Sequence, residues 1–334
     1  MSQPAPPVTV VMPAHSAEKW IAAAITSVLR QSYQTFELWV LENGSEDATL
    51  QIARQHQDPR VKVFELGPVG FQGALIFALN NCRSKWLARM DADDLMFLTR
   101  LEAQVQVLTA HPDYALVGSN YAILTPFGHL FEKLGPGPIR SRELTSGSFA
   151  LLDDDPATRF SADPSMMFDR QAALNAGGYD PDFSVGDISL WIRMLGREKG
   201  WEMEEVLYAY RLLPASFGKT GLGEAPQLRM KYGLPVSPHY TAESNGQASG
   251  ISPRGRYWRH ILRYEAGTRN GRSLRRLAAL LQKEGLPRLA RRCRWLSYFG
   301  PLGFALYGLR YPLSCRREDW ERQFNGLLRE QLPD

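Results

Sequence analysis

Four times in its first hundred residues the chain runs an apolar, strand-like stretch into a helical pattern. "VTVVM" (8–12) precedes Trp20, Ile21, Ala24, Ile25, Val28 and Leu29 at helical spacing, and "FELWVL" (36–41) precedes "ATLQIARQH". "VKVFEL" (61–66) passes through Gly67, Pro68 and Gly70 into "GALIFALNNC", and "WLARM" (86–90) leads on to Leu98, Leu101, Val105 and Leu108. Strands separated by helices predict a parallel sheet with right-handed crossovers and helices on both faces. The fold class is therefore α/β, in a chain of 334 residues with room for one large domain and an appendage or for two ordinary domains.

In a parallel sheet all carboxyl ends lie on one edge, which is where open α/β sheets bind ligands. The loops "PAHS" (13–16), "ENGSED" (42–47), "GPVGFQG" (67–73) and "DADD" (91–94) should meet there. Asp91, Asp93 and Asp94 would repel one another without a counter-charge. A hard divalent cation, magnesium or manganese, takes carboxylate oxygens together with substrate phosphates. Each loop also has a plainer reading: Asp47 can cap the next helix, and "DADD" can consist of helix caps and a solvated carboxylate.

Five ordered stretches extend this pattern: "VVMPAHSAEKWIAAAITSVLRQSY", "ELWVLENGSEDATLQIA", "ARMDADDLMFLTRLEAQV", "DPSMMFDRQAALNAGGYD" and "GDISLWIRM". Together, over roughly residues 8–215, they resemble the inverting glycosyltransferases of family 2. The resemblance implies the GT-A fold, a Rossmann-like, mostly parallel sheet, and a nucleotide-diphospho-sugar donor. By position, Pro13 and Ala14 would lie against the nucleotide, and Glu42 and Asn43 stand where the family has two acidic residues on the base or ribose. Asn43 both donates and accepts hydrogen bonds, so that contact survives in a changed form. Asp91 and Asp93 match the family's D-x-D element, with Asp93 the metal ligand and Asp91 nearer the ribose and metal waters. Arg89 pairs with a phosphate or an acidic neighbour, or is structural.

The same resemblance makes Asp187 the base that deprotonates an acceptor hydroxyl, although Asp187 at a helix start can equally be a cap. The chain departs from the family at Gly186, where a glutamate is common, and at Ser189, where a second aspartate is. Leu213 and Asp163 stand where relatives carry histidines. These departures leave two readings: metal-assisted sugar transfer with inversion to a glycan or lipid-linked acceptor, or an impaired GT-A domain that binds nucleotide or serves as a scaffold. Trp191 is either a packing residue or an acceptor platform. "GGYDPDF" is expected to be a turn with Asp180 and Asp182 solvated.

Charge divides the chain. Up to residue 249 there are 21 Lys and Arg against 28 Asp and Glu, a net −7; beyond it there are 18 against 7, a net +11. We expect a GT-A domain at 1–234, a linker at 235–253 and a basic helical region at 254–334. The most apolar part of that region, 295–313, is broken by Gly300, Pro301, Gly303, Gly308 and Arg310, which argues against a membrane span. Basic amphipathic helices with aromatic residues suit an anionic membrane surface, or they pack on the catalytic domain with solvated arginines. No RNA- or DNA-binding module accompanies the charge, so no nucleic-acid partner is expected. Three cysteines without a CxxC pair, and an N-terminus without a signal-peptide pattern, point to the cytoplasm, and the basic region to the inner face of the membrane.

Overall fold

The computed structural model describes residues 6–132, 140–145, 163–182, 186–213 and 271–298, with 231, 258, 261–262, 265–266, 324 and 327. The chain divides into two compact units, one made of Met1–Tyr121, Gly135–Tyr210 and Glu224–Ser237, the other of Ala122–Leu134, Arg211–Gly223 and Pro238–Asp334.

The first unit contains all four strand–helix repeats. Strands β1 (Val8–Ala14), β2 (Phe36–Glu42), β3 (Val61–Glu65) and β4 (Trp86–Arg89) lie parallel in the order β3-β2-β1-β4. They alternate with α1 (Ile21–Leu29), α2 (Thr49–Arg54), α3 (Gly70–Asn81) and α4 (Arg100–Ala110). Because β1 and β2 are buried on both faces, they read as continuous apolar runs, yet their side chains still alternate. Val10, Met12, Leu38, Val40 and Ala88 join a core with Ile21, Ile25 and Leu101, from α1 and α4, while Val11, Trp39, Leu41 and Leu87 join another with Leu75 and Leu79 of α3. Helices therefore cover both faces, as the alternation predicted.

The repeats do not announce the other half of the sheet. Past the aspartates come β5 (Leu95–Met96), β6 (Tyr114–Leu124), β7 (Leu130–Glu132), β8 (Arg142–Leu144), β9 (Met167–Asp169) and β10 (Lys199–Arg211), with α5 (Arg170–Asn175) and α6 (Gly186–Leu195). Strand β9 runs antiparallel to β4 and to β6, and β10 antiparallel to β5 and β8, which completes the path β3-β2-β1-β4-β9-β6-β10-β5. Four of these strands, β5, β7, β8 and β9, have only two or three residues and carry no usable period. Chain order reverses beside β1, where β4 follows β3 in sequence but sits on β1's other edge; such a reversal opens a crevice at the carboxyl ends.

In the second unit the end of β6, Ala122–Leu124, pairs with β7, and the buried Glu265 accepts the Thr125 hydroxyl at 2.7 Å and lies 3.0 Å from His129 Nδ1. Helices α7 (Gly271–Lys283) and α8 (Pro287–Tyr298) form a hairpin, burying Leu274, Leu277 and Leu281 on one and Ala290, Cys293 and Leu296 on the other. Its turn follows from local chemistry. Gly285 takes φ +71, Leu286 N–H donates to the Leu281 carbonyl at 2.9 Å and Gly285 N–H to that of Gln282 at 3.2 Å; Pro287 then starts α8 at the position where its missing N–H costs nothing. Among the described residues no helix is long and apolar enough to cross a membrane. The expected linker at 235–253 and the apolar stretch at 299–313 lie outside the described residues.

Candidate active site

At the carboxyl edge the first two loops are stitched together by short polar side chains. Asn43 N–H donates to the Ala14 carbonyl at 3.0 Å, and Leu66 N–H to that of Glu42 at 2.9 Å, which holds the three strand ends level. Ser16 N–H donates to Ser45 Oγ at 3.0 Å, Ala17 N–H to Thr49 Oγ1 at 2.7 Å, and Glu18 N–H to Asp47 Oδ2 at 3.2 Å. Asp47 also accepts the Thr49 N–H at 3.0 Å and the Thr49 hydroxyl. Burial pushes its carboxyl up, but these donors outweigh it and hold the group below the ordinary carboxylate value. Asp47 is thus used in building the turn.

The residues expected at the nucleotide are placed as follows. Pro13 and Ala14 were expected in the loop after the first strand; they are instead its last two residues, buried and in register with Leu41 and Glu42, because the strand runs two positions further. Glu42 is buried, and its Oε1 accepts the Ser45 N–H at 2.5 Å. Asn43 is also buried; its Oδ1 accepts the Gly70 N–H at 2.8 Å and so ties the second loop to the start of α3. Next to Asn43, Gly44 takes φ +72, and a Cβ there would come to 3.0 Å from the Pro68 backbone, so this close approach requires glycine.

Asp91, Asp93 and Asp94 stand together after β4, with one carboxylate oxygen of each within 4.8 Å of the others. Their surroundings set them apart. Arg89, only 1% exposed, donates through Nη2 to Asp91 Oδ1 at 2.8 Å, and its guanidinium lies 5.1 Å from the ring centroid of Phe71. In the structure Arg89 pairs with its acidic neighbour. Asp94 is buried and accepts the Tyr208 hydroxyl at 2.8 Å, while Asp91 N–H donates to the same hydroxyl at 3.1 Å. Burial first, and then the carboxylates of Asp94 and Asp91, push Tyr208 well above the ordinary phenol value, so it keeps its proton and donates. Asp94 is an anchor, whereas Asp91 and Asp93 are part-exposed, and three hard oxygen donors at this spacing fit a magnesium or manganese ion.

Tyr208→Phe keeps the volume but removes the hydroxyl that bonds the buried Asp94 oxygen and the Asp91 N–H, a loss of about 1–3 kcal/mol. We expect a lower denaturation midpoint with an unchanged denaturant slope. A midpoint equal to the parent's would mean that Tyr208 does not hold the aspartate loop.

Farther along, Gly186 and Asp187 open α6, and the side chains of Asp187 and Asp163 lie outside the described residues. Ser189 is fully buried and accepts from Arg193 Nη2 at 3.3 Å; Arg193 also donates to the carbonyls of Ala176 and Gly178, each at 2.6 Å. Trp191 is buried against Phe168, 5.0 Å between centroids, and Tyr179, at 6.4 Å, so it packs. Asp180, expected to be solvated, is buried and 2.8 Å from Lys231 Nζ, which also reaches Asp182 at 3.0 Å. Tyr208 and the part played by Asp94 were not visible in the sequence: the two residues are 114 positions apart and no local pattern links them.

The model of glycosyl transferase family 2 matches residues 9–174. O-antigen biosynthesis glycosyltransferase WbnJ of Escherichia coli is 29% identical over 226 residues, 64% of this chain and 83% of that protein. Putative glycosyltransferase EpsE of Bacillus subtilis is 30% identical over 217 residues, 62% of this chain and 73% of that protein. The mannosyltransferase PcManGT of Pyrobaculum calidifontis, solved with GDP-Man and Mn2+, has the same fold at a TM-score of 0.51 and 18% identity, over 91% of this chain and 87% of that one.

Proposed function

This chain belongs to glycosyl transferase family 2, and from that premise we propose that it moves a hexose from a nucleotide-diphospho-sugar to a glycan or lipid-linked acceptor, with inversion and with the help of a divalent metal. One observation carries the reading: three carboxylates gather at the carboxyl edge, beside the reversal of strand order, and one of them is fixed there by a buried arginine. PcManGT, of the same fold, was solved with GDP-Man and Mn2+, which supports a nucleotide-sugar donor and a metal; the O-antigen role in WbnJ's name supports a glycan acceptor. In this reading residues 1–234 form the catalytic domain, joined through 235–253 to the basic region at 254–334, and the enzyme works in the cytoplasm at the inner face of the membrane.

Asp93 and Asp91 would hold the ion, which when bound supplies positive charge to the diphosphate leaving group. Arg89 fixes one oxygen of Asp91 and so orients the other. Pro13, Ala14, Glu42 and Asn43 form the wall for the nucleotide, stiffened before any ligand arrives by the hydrogen bonds of Glu42 and Asn43 to Ser45 and Gly70. Asp187 takes the proton from the acceptor hydroxyl as that oxygen bonds to the anomeric carbon and the bond to the diphosphate breaks. A single displacement inverts the centre.

The second reading, a domain that binds nucleotide without turnover, rests on Gly186, Ser189 and Leu213. Ser189 weakens it, because a position buried against Arg193 serves packing, and an aspartate there would not be a free base. A thermal-shift screen of nucleotide sugars with and without manganese tests both. One donor at about 100 times its Kd should add about 2.7 kcal/mol, more with the metal than without, and transfer to an acceptor should follow. No stabilisation by any nucleotide sugar would sink both readings; stabilisation without transfer or donor hydrolysis would favour the second.

A further inference from the structure

We propose that the outward ridge of α8 is a docking surface for an anionic lipid bilayer, an inference that rests on the lipid-linked reading for its purpose and on the geometry of the hairpin for its substance. Ala290, Cys293 and Leu296 turn one side of α8 inward. On the opposite side Arg288, Arg291, Trp295 and Tyr298 follow at intervals of three, four and three residues, which align on a helix in a single ridge. Trp295 is 43% exposed and Tyr298 77%, two of the four large exposed hydrophobics among the described residues.

Charge on this hairpin is lopsided. Its two helices and their turn carry seven arginines and Lys283 against one acidic residue, Glu284, and α8 itself has none. Arg272, Arg275, Arg276, Arg288, Arg291, Arg292 and Arg294 are all exposed. Tryptophan and tyrosine settle at the level of lipid headgroups, with the apolar ring inward and the polar edge in water, while arginine stems lie along apolar surface and keep the guanidinium outside. A helix with this pattern lies in the interface plane and is held by both terms. A single-stranded nucleic acid would instead need a groove that tracks its backbone, and one helix ridge does not provide it.

The test uses the full chain and vesicles of neutral phosphatidylcholine, alone or mixed equally with anionic phosphatidylglycerol. The parent should sediment with the mixed vesicles at least tenfold more strongly than with the neutral ones, and added salt should weaken this. Arg288→Glu with Arg291→Glu should lower binding by about 25-fold or more, at about fivefold for each of the two positive charges removed. Trp295→Ser with Tyr298→Ser should abolish the part of the binding that survives salt. Arg288, Arg291 and Tyr298 are exposed, so the melting temperature should hold for their variants; should either pair melt lower, Arg288→Gln, Arg291→Gln and Tyr298→Ser are measured separately against the same criterion. Equal sedimentation with both vesicle types, or variants that bind like the parent, would overturn the surface. So would polyuridylate RNA that binds the chain more tightly than the vesicles do. Transfer to a soluble acceptor should be unchanged in every variant. If no transfer occurs while vesicle binding behaves as expected, the catalytic reading fails and the surface stands; normal transfer without vesicle binding is the reverse.

Discussion

Asp187→Asn is expected to lower sugar transfer by about 10²- to 10⁴-fold, the usual contribution of a well-placed general base, while donor affinity stays within a few-fold. The two effects separate because a base acts on the acceptor proton in the transition state and contributes little to holding the donor in the ground state. Asp187 stands in the first turn of α6, a position where a carboxylate in general favours a helix by about 0.3–1 kcal/mol. A mere cap would therefore cost stability and leave turnover intact. Measuring transfer, donor binding and melting on Asp187→Asn, with Asp163→Asn as the control, distinguishes the roles. Should Asp163→Asn be the inactive protein while Asp187→Asn turns over normally, the base is misassigned.

Asp93→Asn should weaken donor binding by at least 10- to 100-fold in manganese, since even loss of a partner behind a metal ligand costs that much, and should change it little in a chelator. The lost charge matters through the ion it would hold. Asp94→Asn gives the contrast: its carboxylate is buried on the Tyr208 hydroxyl, so the expected result is a less stable protein whose donor binding loses strength in manganese and in chelator alike. Calorimetry on both variants, with and without metal, reads the difference. An equal loss for Asp93→Asn under the two conditions would make it another anchor.

Which aspartate does what could not be read from "DADD", and the reason is physical. A short loop shows three carboxylates, but their division of labour is imposed by Arg89 from the preceding strand and Tyr208 from a strand formed more than a hundred residues later. The four strand–helix units were legible because buried parallel strands leave continuous apolar runs, as at Val8–Ala14, and the helices between them a helical spacing of apolar residues, as at Arg100–Ala110. Met167–Asp169 leaves no such trace: three residues become a strand only because β4 and β6 offer their edges. Asn43 shows the same limit at the site. The sequence indicates a residue able to donate and accept; only the fold reveals that its acceptor is already given to Gly70. Asp180 was misjudged because Lys231, its partner, lies 51 positions away.

The order β3-β2-β1-β4 has a consequence for biosynthesis. Strand β1 leaves the ribosome first yet sits between β2 and β4, with Val8 in register with Phe36 on one side and Trp86 on the other. At synthesis rates of about 5–20 residues per second, several seconds pass after β2 is available before β4 can close the remaining side. During that interval "VTVVM" presents an uncharged, β-branched edge to every other nascent chain. Any fragment ending before residue 86 keeps that edge open, because the strand that carries Arg89 is the one that closes it.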